Sequence, residues 1–139
     1  MMESIQVGNR KLLAVSGHTG EGFAPLVRFE AWRVAMCNAK QDEHLFSMQR
    51  HLETDEAFVL LAGSCAMLVA EGESDVGAAH WVPMQPLRVY TVRKNVWHAH
   101  VAMAGASLLI VENEDTGDAN SVTCRLSDTQ IQQLLRTKP

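Results

Sequence analysis

Six histidines occur in the sequence, and His51, His98 and His100 lie in or beside segments that alternate in polarity as β-strands do. Alternate side chains of a strand share a face, so His98 and His100 point the same way, as do Gln49 and His51. Glu56 opens an apolar segment, where burying a carboxylate is costly unless a cation or hydrogen bonds compensate it. Imidazoles and a carboxylate that line one interior form a ligand set for a divalent transition metal.

The segments that must position these side chains are short, rich in valine and separated by turn residues, which predicts an antiparallel β-sandwich or barrel. No internal repeat or proline-rich linker divides the chain, so residues 1–139 are predicted to form a single domain. The predicted strands are Lys11–Val15, Leu26–Met36, Ala57–Ala62, Ala66–Ala70, Val89–Arg93, Val96–Ala102 and Ser107–Glu112.

One short α-helix is predicted near residue 130. Ser127 is its expected N-cap, and Gln130 three residues later completes a capping box. Ile131, Leu134 and Leu135 then fall on one face, which suits docking on the sheet or on a second subunit.

Composition excludes several classes of protein. The 139 residues are 47% hydrophobic and 20% charged, which is the balance of a soluble globular domain. Twelve Lys and Arg against sixteen Asp and Glu give a net charge of −4. A nucleic-acid-binding protein needs a basic face that neutralises phosphates, so we expect no nucleic-acid partner.

Membrane and secretory classes are also disfavoured. The longest apolar stretch, residues 57–70, is interrupted by Gly63 and is shorter than the roughly 20 residues of a membrane-spanning helix. The N-terminus lacks the uninterrupted apolar core of a signal peptide. Cys37, Cys65 and Cys124 are odd in number and widely spaced, as reduced cytosolic thiols are. A cytoplasmic location without membrane contact is therefore expected.

The spacing around His51 resembles the first motif of the cupin superfamily, G-x5-H-x-H-x(3,4)-E-x6-G. Four residues separate His51 from Glu56, and six separate Glu56 from Gly63. The stretch 89–102 resembles the second motif, G-x5-P-x-G-x2-H-x3-N, with His98 in the histidine position. With the strands around them, the two motifs cover most of the chain from Arg28 to residue 112.

The sequence departs from these motifs at several positions. Gln49 stands where the first histidine of the H-x-H pair is expected. In the second motif, Leu87, Arg93 and Asn95 replace the Gly, Pro and Gly, and Ala102 replaces the Asn. Asn95 is a mild change because asparagine tolerates a left-handed backbone conformation.

The resemblance implies an all-β, cupin-like jelly-roll barrel with a short C-terminal α-helix, paired as a homodimer through its outer sheets. Trp97, which alternates with His98, is expected to face away from the site, either in sheet packing or against the second subunit. His51, Glu56 and His98 match three of the usual metal ligands, with Gln49 or His100 as a possible fourth ligand. Phe58 and Leu60, on the same face of their strand as Glu56, are expected to line the pocket.

Three interpretations of the trio remain open. In the first, it binds Mn, Fe, Ni or Zn, and the protein is a divalent-metal-dependent enzyme acting on a small polar metabolite as an isomerase, lyase or dioxygenase. In the second, the same groups hydrogen-bond a small molecule without metal, in a binding or regulatory module. In the third, His51 and Glu56 are an inherited buried pair without a ligand.

Overall fold

We analysed the protein as a computed structural model that describes the backbone of residues 2–7 and 10–139 and side chains from residue 13 onward. Within these residues the chain is almost entirely β-strand, with a short 3₁₀ helix at Asp118–Asn120 and one α-helix, α1. Helix α1 spans Asp128–Arg136. In chain order the strands are β1 (Met2–Val7), β2 (Arg10–Ser16), β3 (Gly22–Phe29), β4 (Trp32–Asn38), β5 (Ser47–His51), β6 (Glu56–Ala62), β7 (Cys65–Ala70), β8 (Ala79–Pro83), β9 (Val89–Val92), β10 (Trp97–Ala102), β11 (Ser107–Asn113) and β12 (Ser121–Arg125).

Two five-stranded antiparallel sheets form the body of the protein. One has the strand order β12-β5-β10-β7-β8, here the helix-side sheet, and the other has the order β3-β4-β11-β6-β9, here the open sheet. Strands β1 and β2 pair with each other in a two-stranded antiparallel sheet. Apolar side chains from both sheets, including Phe58, Met67 and Leu108, form a shared core between them. This architecture confirms the predicted all-β class with one C-terminal helix.

Helix α1 covers the outer face of the helix-side sheet. Ile131 and Leu134 pack against a second apolar cluster on that face, which contains the buried ring of Trp97. The indole N–H of Trp81 donates to the carbonyl of Leu134 at 2.8 Å and ties the helix to β8. Trp97 is only 1% exposed, so it packs within the protein and does not present a surface to a second subunit. The predicted capping box is also present, because Ser127 accepts from the Gln130 amide and the Gln130 side chain accepts from the Ser127 amide.

The outer face of the open sheet carries no helix among the described residues. Strand alternation and register place a group of large apolar side chains on it, opposite in direction to the core. Their exposed fractions run from 36% to 67%. They are Val27, Phe29, Trp32, Leu61, Val89 and Val111.

The sequence prediction of one strand over Leu26–Met36 is wrong, because the chain turns there and forms β3 and β4. The turn uses Glu30 at a φ of 50°, a left-handed conformation that glutamate rarely adopts and that therefore gives no turn signal in the sequence. No helix among the described residues is long and apolar enough to span a membrane.

Candidate metal centre

Strands from both sheets bring His51, Glu56 and His98 together. His51 is the last residue of β5, and His98 lies on the neighbouring strand β10 of the same sheet. Glu56 is the first residue of β6 in the open sheet, and residues 52–55 connect it directly to His51. All three residues are buried, with exposed fractions of 6–7%. The short connection between the sheets therefore places a carboxylate beside two imidazoles inside the barrel.

The three side chains meet through single atoms. Oε1 of Glu56 lies 3.1 Å from Nε2 of His51 and 2.9 Å from Nε2 of His98. One ligand atom from each residue lies within 4.8 Å of the other two. The two imidazole rings meet edge to face, with centroids 5.0 Å apart.

The outer nitrogen of each ring is held by a neighbour. Nδ1 of His98 lies 3.0 Å from the carbonyl oxygen of Val96, which can only accept, so Nδ1 carries the proton. The other ring nitrogen of His98, Nε2, faces Oε1 of Glu56. Nδ1 of His51 lies 2.7 Å from the hydroxyl of Ser121, which orients the second ring.

The charges of the trio are mutually stabilising. Burial by itself raises the pKa of Glu56, but hydrogen bonds from His51 and His98 outweigh it and hold the pKa well below the usual range. Burial likewise lowers the pKa of His51, and the hydrogen bond and negative charge of Glu56 raise it above its ordinary value. The site therefore favours an ionised carboxylate and attracts positive charge, whether a proton or a cation.

The donor set fits a divalent transition metal. Two imidazole nitrogens and one carboxylate oxygen are ligands of borderline ions such as zinc, and one such atom from each residue lies within 4.8 Å of the other two. Both Nδ1 atoms are already engaged, which is the arrangement that orients histidine ligands in metal sites. His51, Glu56 and His98 are thus the residues that could hold the metal.

A cavity of about 530 Å³ opens beside the trio. Gln49, exposed to solvent, and Phe58 are among the residues that line it. Leu60 is not: it is only 1% exposed and packs in the core between the sheets, because β6 runs inward from Glu56. On this strand the cavity wall ends at Phe58.

His100 faces the same cavity but does not join the trio. Its Nδ1 lies 3.1 Å from Oε2 of Glu43, which also accepts from the amide of Ala102 at 3.2 Å. Burial lowers the pKa of His100, but hydrogen bonding to Cys65 and Glu43 raises it to about 10. His100 is therefore a protonated partner of Glu43 at neutral pH, without a free lone pair for a metal.

A second carboxylate, Glu112, lies beside Glu56 and was not singled out from the sequence. Glu112 projects inward from β11, and its side chain is only 3% exposed. Arg33 binds Oε1 of Glu112 through Nη2 at 2.7 Å and Nε at 3.2 Å. Burial and the charge of Glu56 raise the pKa of Glu112 to about 7 in spite of Arg33. The available signal was its alternation with the inward residues Leu108 and Ile110, since a carboxylate in that series needs a partner.

The backbone keeps a left-handed conformation at the motif's glycine positions, whether or not the glycine itself is retained. Gly63 has a φ of 76°, and a Cβ there would lie 2.6 Å from the Cα of Ala106. Leu87 and Asn95, which occupy the two glycine positions of the second motif, have φ values of 63° and 68°. The left-handed turns are therefore kept, although leucine pays a conformational penalty there that glycine does not.

Comparison with known proteins identifies the fold. No protein-family model and no curated protein matches the sequence. Among solved structures, the nucleoside dehydratase Pac13 superposes with a TM-score of 0.56 at 11% identity, over 81% of this chain and 88% of that one. A Streptomyces Pac13 variant with uridine also gives 0.56 at 11% identity, over 81% and 86%. A cupin-2 domain protein of Shewanella frigidimarina gives 0.51 at 16% identity, over 68% and 84%.

At these identities the likeness concerns the fold. The match to a cupin-2 domain protein, together with the two antiparallel sheets, confirms the predicted cupin-like fold. The His-Glu-His cluster lies inside that barrel.

Proposed function

We propose that the protein is a divalent-metal-dependent enzyme whose ion is bound by His51, Glu56 and His98 and which acts on a small polar metabolite. The observation that carries this proposal is the convergence of two Nε2 atoms on one oxygen of an ionised, buried carboxylate. Without a cation, that convergence needs protons between the three atoms, whereas a metal uses all three lone pairs at once.

The surroundings favour a catalytic ion over a structural one. Structural zinc is usually enclosed by four protein ligands, while catalytic sites use three and keep a position for water or substrate. Here three ligands adjoin a cavity large enough for a metabolite. A bound ion would supply Lewis acidity at a carbonyl or carboxylate, as in metal-dependent isomerases and lyases, or redox chemistry, as in dioxygenases.

The chain's own groups would orient both metal and substrate. Val96 and Ser121 fix the histidine rings, so the ligand atoms remain directed at one point. Gln49 and Phe58 line the cavity with an amide and an aromatic ring, which suits a substrate with polar and apolar parts.

Metal binding tests the proposal. Protein purified without added metal or a metal-binding tag would be titrated with Mn²⁺, Ni²⁺ and Zn²⁺ by calorimetry, and with Fe²⁺ under anaerobic conditions. We expect one ion per chain, and loss of binding in Glu56→Gln but not in Glu114→Gln, which alters an exposed carboxylate. A folded wild type that binds none of the four ions would overturn the proposal.

A metal-free binding module is the second candidate, and the direct contacts of Glu56 with both histidines support it. The same hydrogen-bonding groups could bind a metabolite without an ion. A thermal-shift screen of small polar metabolites, with uridine included because of the Pac13 match, would identify a stabilising compound in chelator-treated protein. Stabilisation that requires metal would favour the enzyme instead.

We also propose that the protein forms a homodimer through the outer face of the open sheet. Its six large apolar side chains are exposed on one face, and an exposed apolar patch of this kind marks a protein interaction site. By contrast, the apolar face of α1, which the sequence offered as a candidate contact, is used within the chain.

Solution mass tests the homodimer. Light scattering should give a dimer for the wild type and for Leu135→Lys, which alters an exposed helix residue. Val111→Lys places a charge on the central strand of the open sheet and should give a monomer. A monomeric wild type, or a dimeric Val111→Lys, would contradict this interface.

A further inference from the structure

Phe23 brings an exposed aromatic ring to the cavity beside the candidate metal centre. It lies on β3, an edge strand of the open sheet, and it lines the same cavity as His51, Glu56 and His98. The residue is 45% exposed, although burial of an aromatic side chain would stabilise the fold. The ring therefore offers the cavity an apolar surface that the fold covers only in part.

Arg33 holds this ring from one side. Its guanidinium carbon lies 5.4 Å from the centroid of the Phe23 ring, which is cation–π distance. Four hydrogen bonds fix the guanidinium in turn. Two of them go to Oε1 of Glu112, at 2.7 and 3.2 Å, and the others go to the carbonyls of Glu114 at 3.3 Å and Thr116 at 3.2 Å. Phe23 is thus braced against a group that is itself immobilised.

The same bonds leave Arg33 unsuited to binding an anionic substrate group. All three of its guanidinium nitrogens donate to other residues of the chain, and its side chain is only 12% exposed. Among the described residues that line the cavity, Arg33 is the only lysine or arginine. Its role at the cavity is therefore to support the wall and the Phe23 ring.

The cavity has a polar part and an apolar part. The trio and Gln49 supply nitrogen and oxygen atoms, whereas Phe58 and Ile110 are buried apolar side chains of the same cavity. Of the apolar side chains that line it, Phe23 is the most exposed. An aromatic ring prefers a second ring in an offset or edge-to-face arrangement, a geometry that an alkyl chain does not reproduce.

We infer that Phe23 is a specificity-determining residue whose exposed ring packs against a planar ring of the substrate, while a polar group of the substrate reaches the metal. This inference rests on the proposed function and names its substrate class, a small metabolite with an unsaturated ring and an oxygen donor. Because Arg33 already fixes the Phe23 ring, little side-chain entropy is lost when the substrate binds.

Two hydroxamates test the inference, because both ligate a metal through the same group and differ only in the attached ring. Benzohydroxamate has a planar ring, and cyclohexanecarbohydroxamate has a non-planar ring of similar size. Each would be titrated by calorimetry into the full chain loaded with the tightest-binding of Mn²⁺, Fe²⁺, Ni²⁺ and Zn²⁺. We expect the wild type to prefer benzohydroxamate by about 2- to 10-fold, the usual gain from pairing two aromatic rings.

Substitutions of Phe23 separate ring packing from general apolar contact. Phe23→Leu keeps an apolar side chain without a planar face and should abolish the preference, whereas Phe23→Trp should retain it. Phe46→Leu is the matched control, since Phe46 is 54% exposed and lies beneath Arg125 but does not line the cavity. This control should prefer benzohydroxamate as the wild type does.

The outcomes distinguish the two proposals. A metal-loaded wild type that binds both hydroxamates equally, or neither, would overturn the role of Phe23 while leaving the metal site intact. A Phe23→Leu variant that keeps the preference would do the same. A wild type that binds none of the four ions would instead overturn the proposed function, and this inference with it.

Discussion

Two histidine–glutamate pairs involve neighbouring parts of β10 and have opposite chemical consequences; all of their residues except Glu43 line the cavity. His98 and His100 are two residues apart on β10, and each contacts a glutamate, Glu56 at 2.9 Å and Glu43 at 3.1 Å. The ring of Phe58 packs against both, with centroid distances of 6.2 and 6.0 Å. Similar residues on one strand face therefore occupy two distinct sites.

The difference lies in which groups share each carboxylate. Glu56 is shared by two imidazoles, whose Nε2 atoms converge on one of its oxygens. Glu43 serves His100 and one backbone amide, and His100 is protonated because its pKa is raised to about 10. The first arrangement brings three ligand atoms together, while the second is a pair outside that cluster, so the geometry of the histidines matters more than their number.

Replacing His98 or His100 by alanine gives the largest expected contrast, which is a contrast in metal affinity. His98→Ala removes one of three ligands, and we expect metal affinity to fall more than 100-fold, since a three-ligand site cannot replace a lost donor. His100→Ala removes no ligand atom and should bind metal within a few-fold of the wild type. Calorimetry of both variants checks the contrast, and equal losses would show that the two pairs form one site.

The His100–Glu43 pair should instead contribute to stability. His100→Gln should lower the free energy of unfolding by about 1.5–3 kcal/mol, the usual contribution of a charge-assisted hydrogen bond. Because the folded pKa of His100 is raised, the contribution is complete below pH 6.5 and declines as the pH rises towards about 10. Because the pKa of Glu43 is lowered, the contribution also falls as the pH drops below 4.5.

Urea unfolding of wild type and His100→Gln at pH 6 and pH 9.5 measures that window. His80→Gln, at an exposed position on β8, is the control and should have little effect at either pH. A stability difference for His100→Gln that grows with pH would contradict the charged pair.

A gain-of-binding change gives the smallest expected effect. Gln49 pairs directly with His98 across β5 and β10 and lines the cavity. Gln49→His restores the missing motif histidine and should raise metal affinity about tenfold by adding an imidazole donor. We expect Gln49→His to bind metal more tightly and to leave unchanged the pH dependence of the contribution that His100 makes to the free energy of unfolding. Weaker binding would show that Gln49 is too distant to serve as a ligand.

The sequence predicts His51, Glu56 and His98 because residue spacing and polarity alternation are local features of the chain. The spacing from His51 to Glu56 and Gly63 matches a known motif, and polarity alternation places His98 on an inward face. Long-range pairing could not be predicted. Glu43 lies in the polar stretch 38–48, whose sequence indicates only a loop leading into a strand, and its partner His100 is more than fifty residues away.

The backbone shows the same limit. Leu87 and Glu30 adopt left-handed conformations that their side chains disfavour, because the sheet pairing on either side fixes the turn. Intrinsic preference therefore gives no turn signal at either position. Trp97 could not be assigned from alternation alone, since an outward residue is buried only if another element covers it, and here α1 does so.

The hydrogen bond from the Trp81 indole to the carbonyl of Leu134 makes the docking of α1 observable by tryptophan fluorescence. Among the described residues, Trp81 has its indole fixed to a helix carbonyl, Trp97 is enclosed beneath Arg50, and Trp32 is partly solvated on the open sheet. Indole emission shifts to the red as water gains access. Release of α1 should therefore shift the emission of Trp81 and Trp97 to longer wavelength but leave that of Trp32 unchanged. Intrinsic fluorescence can thus distinguish undocking of the helix from changes at the outer face of the open sheet.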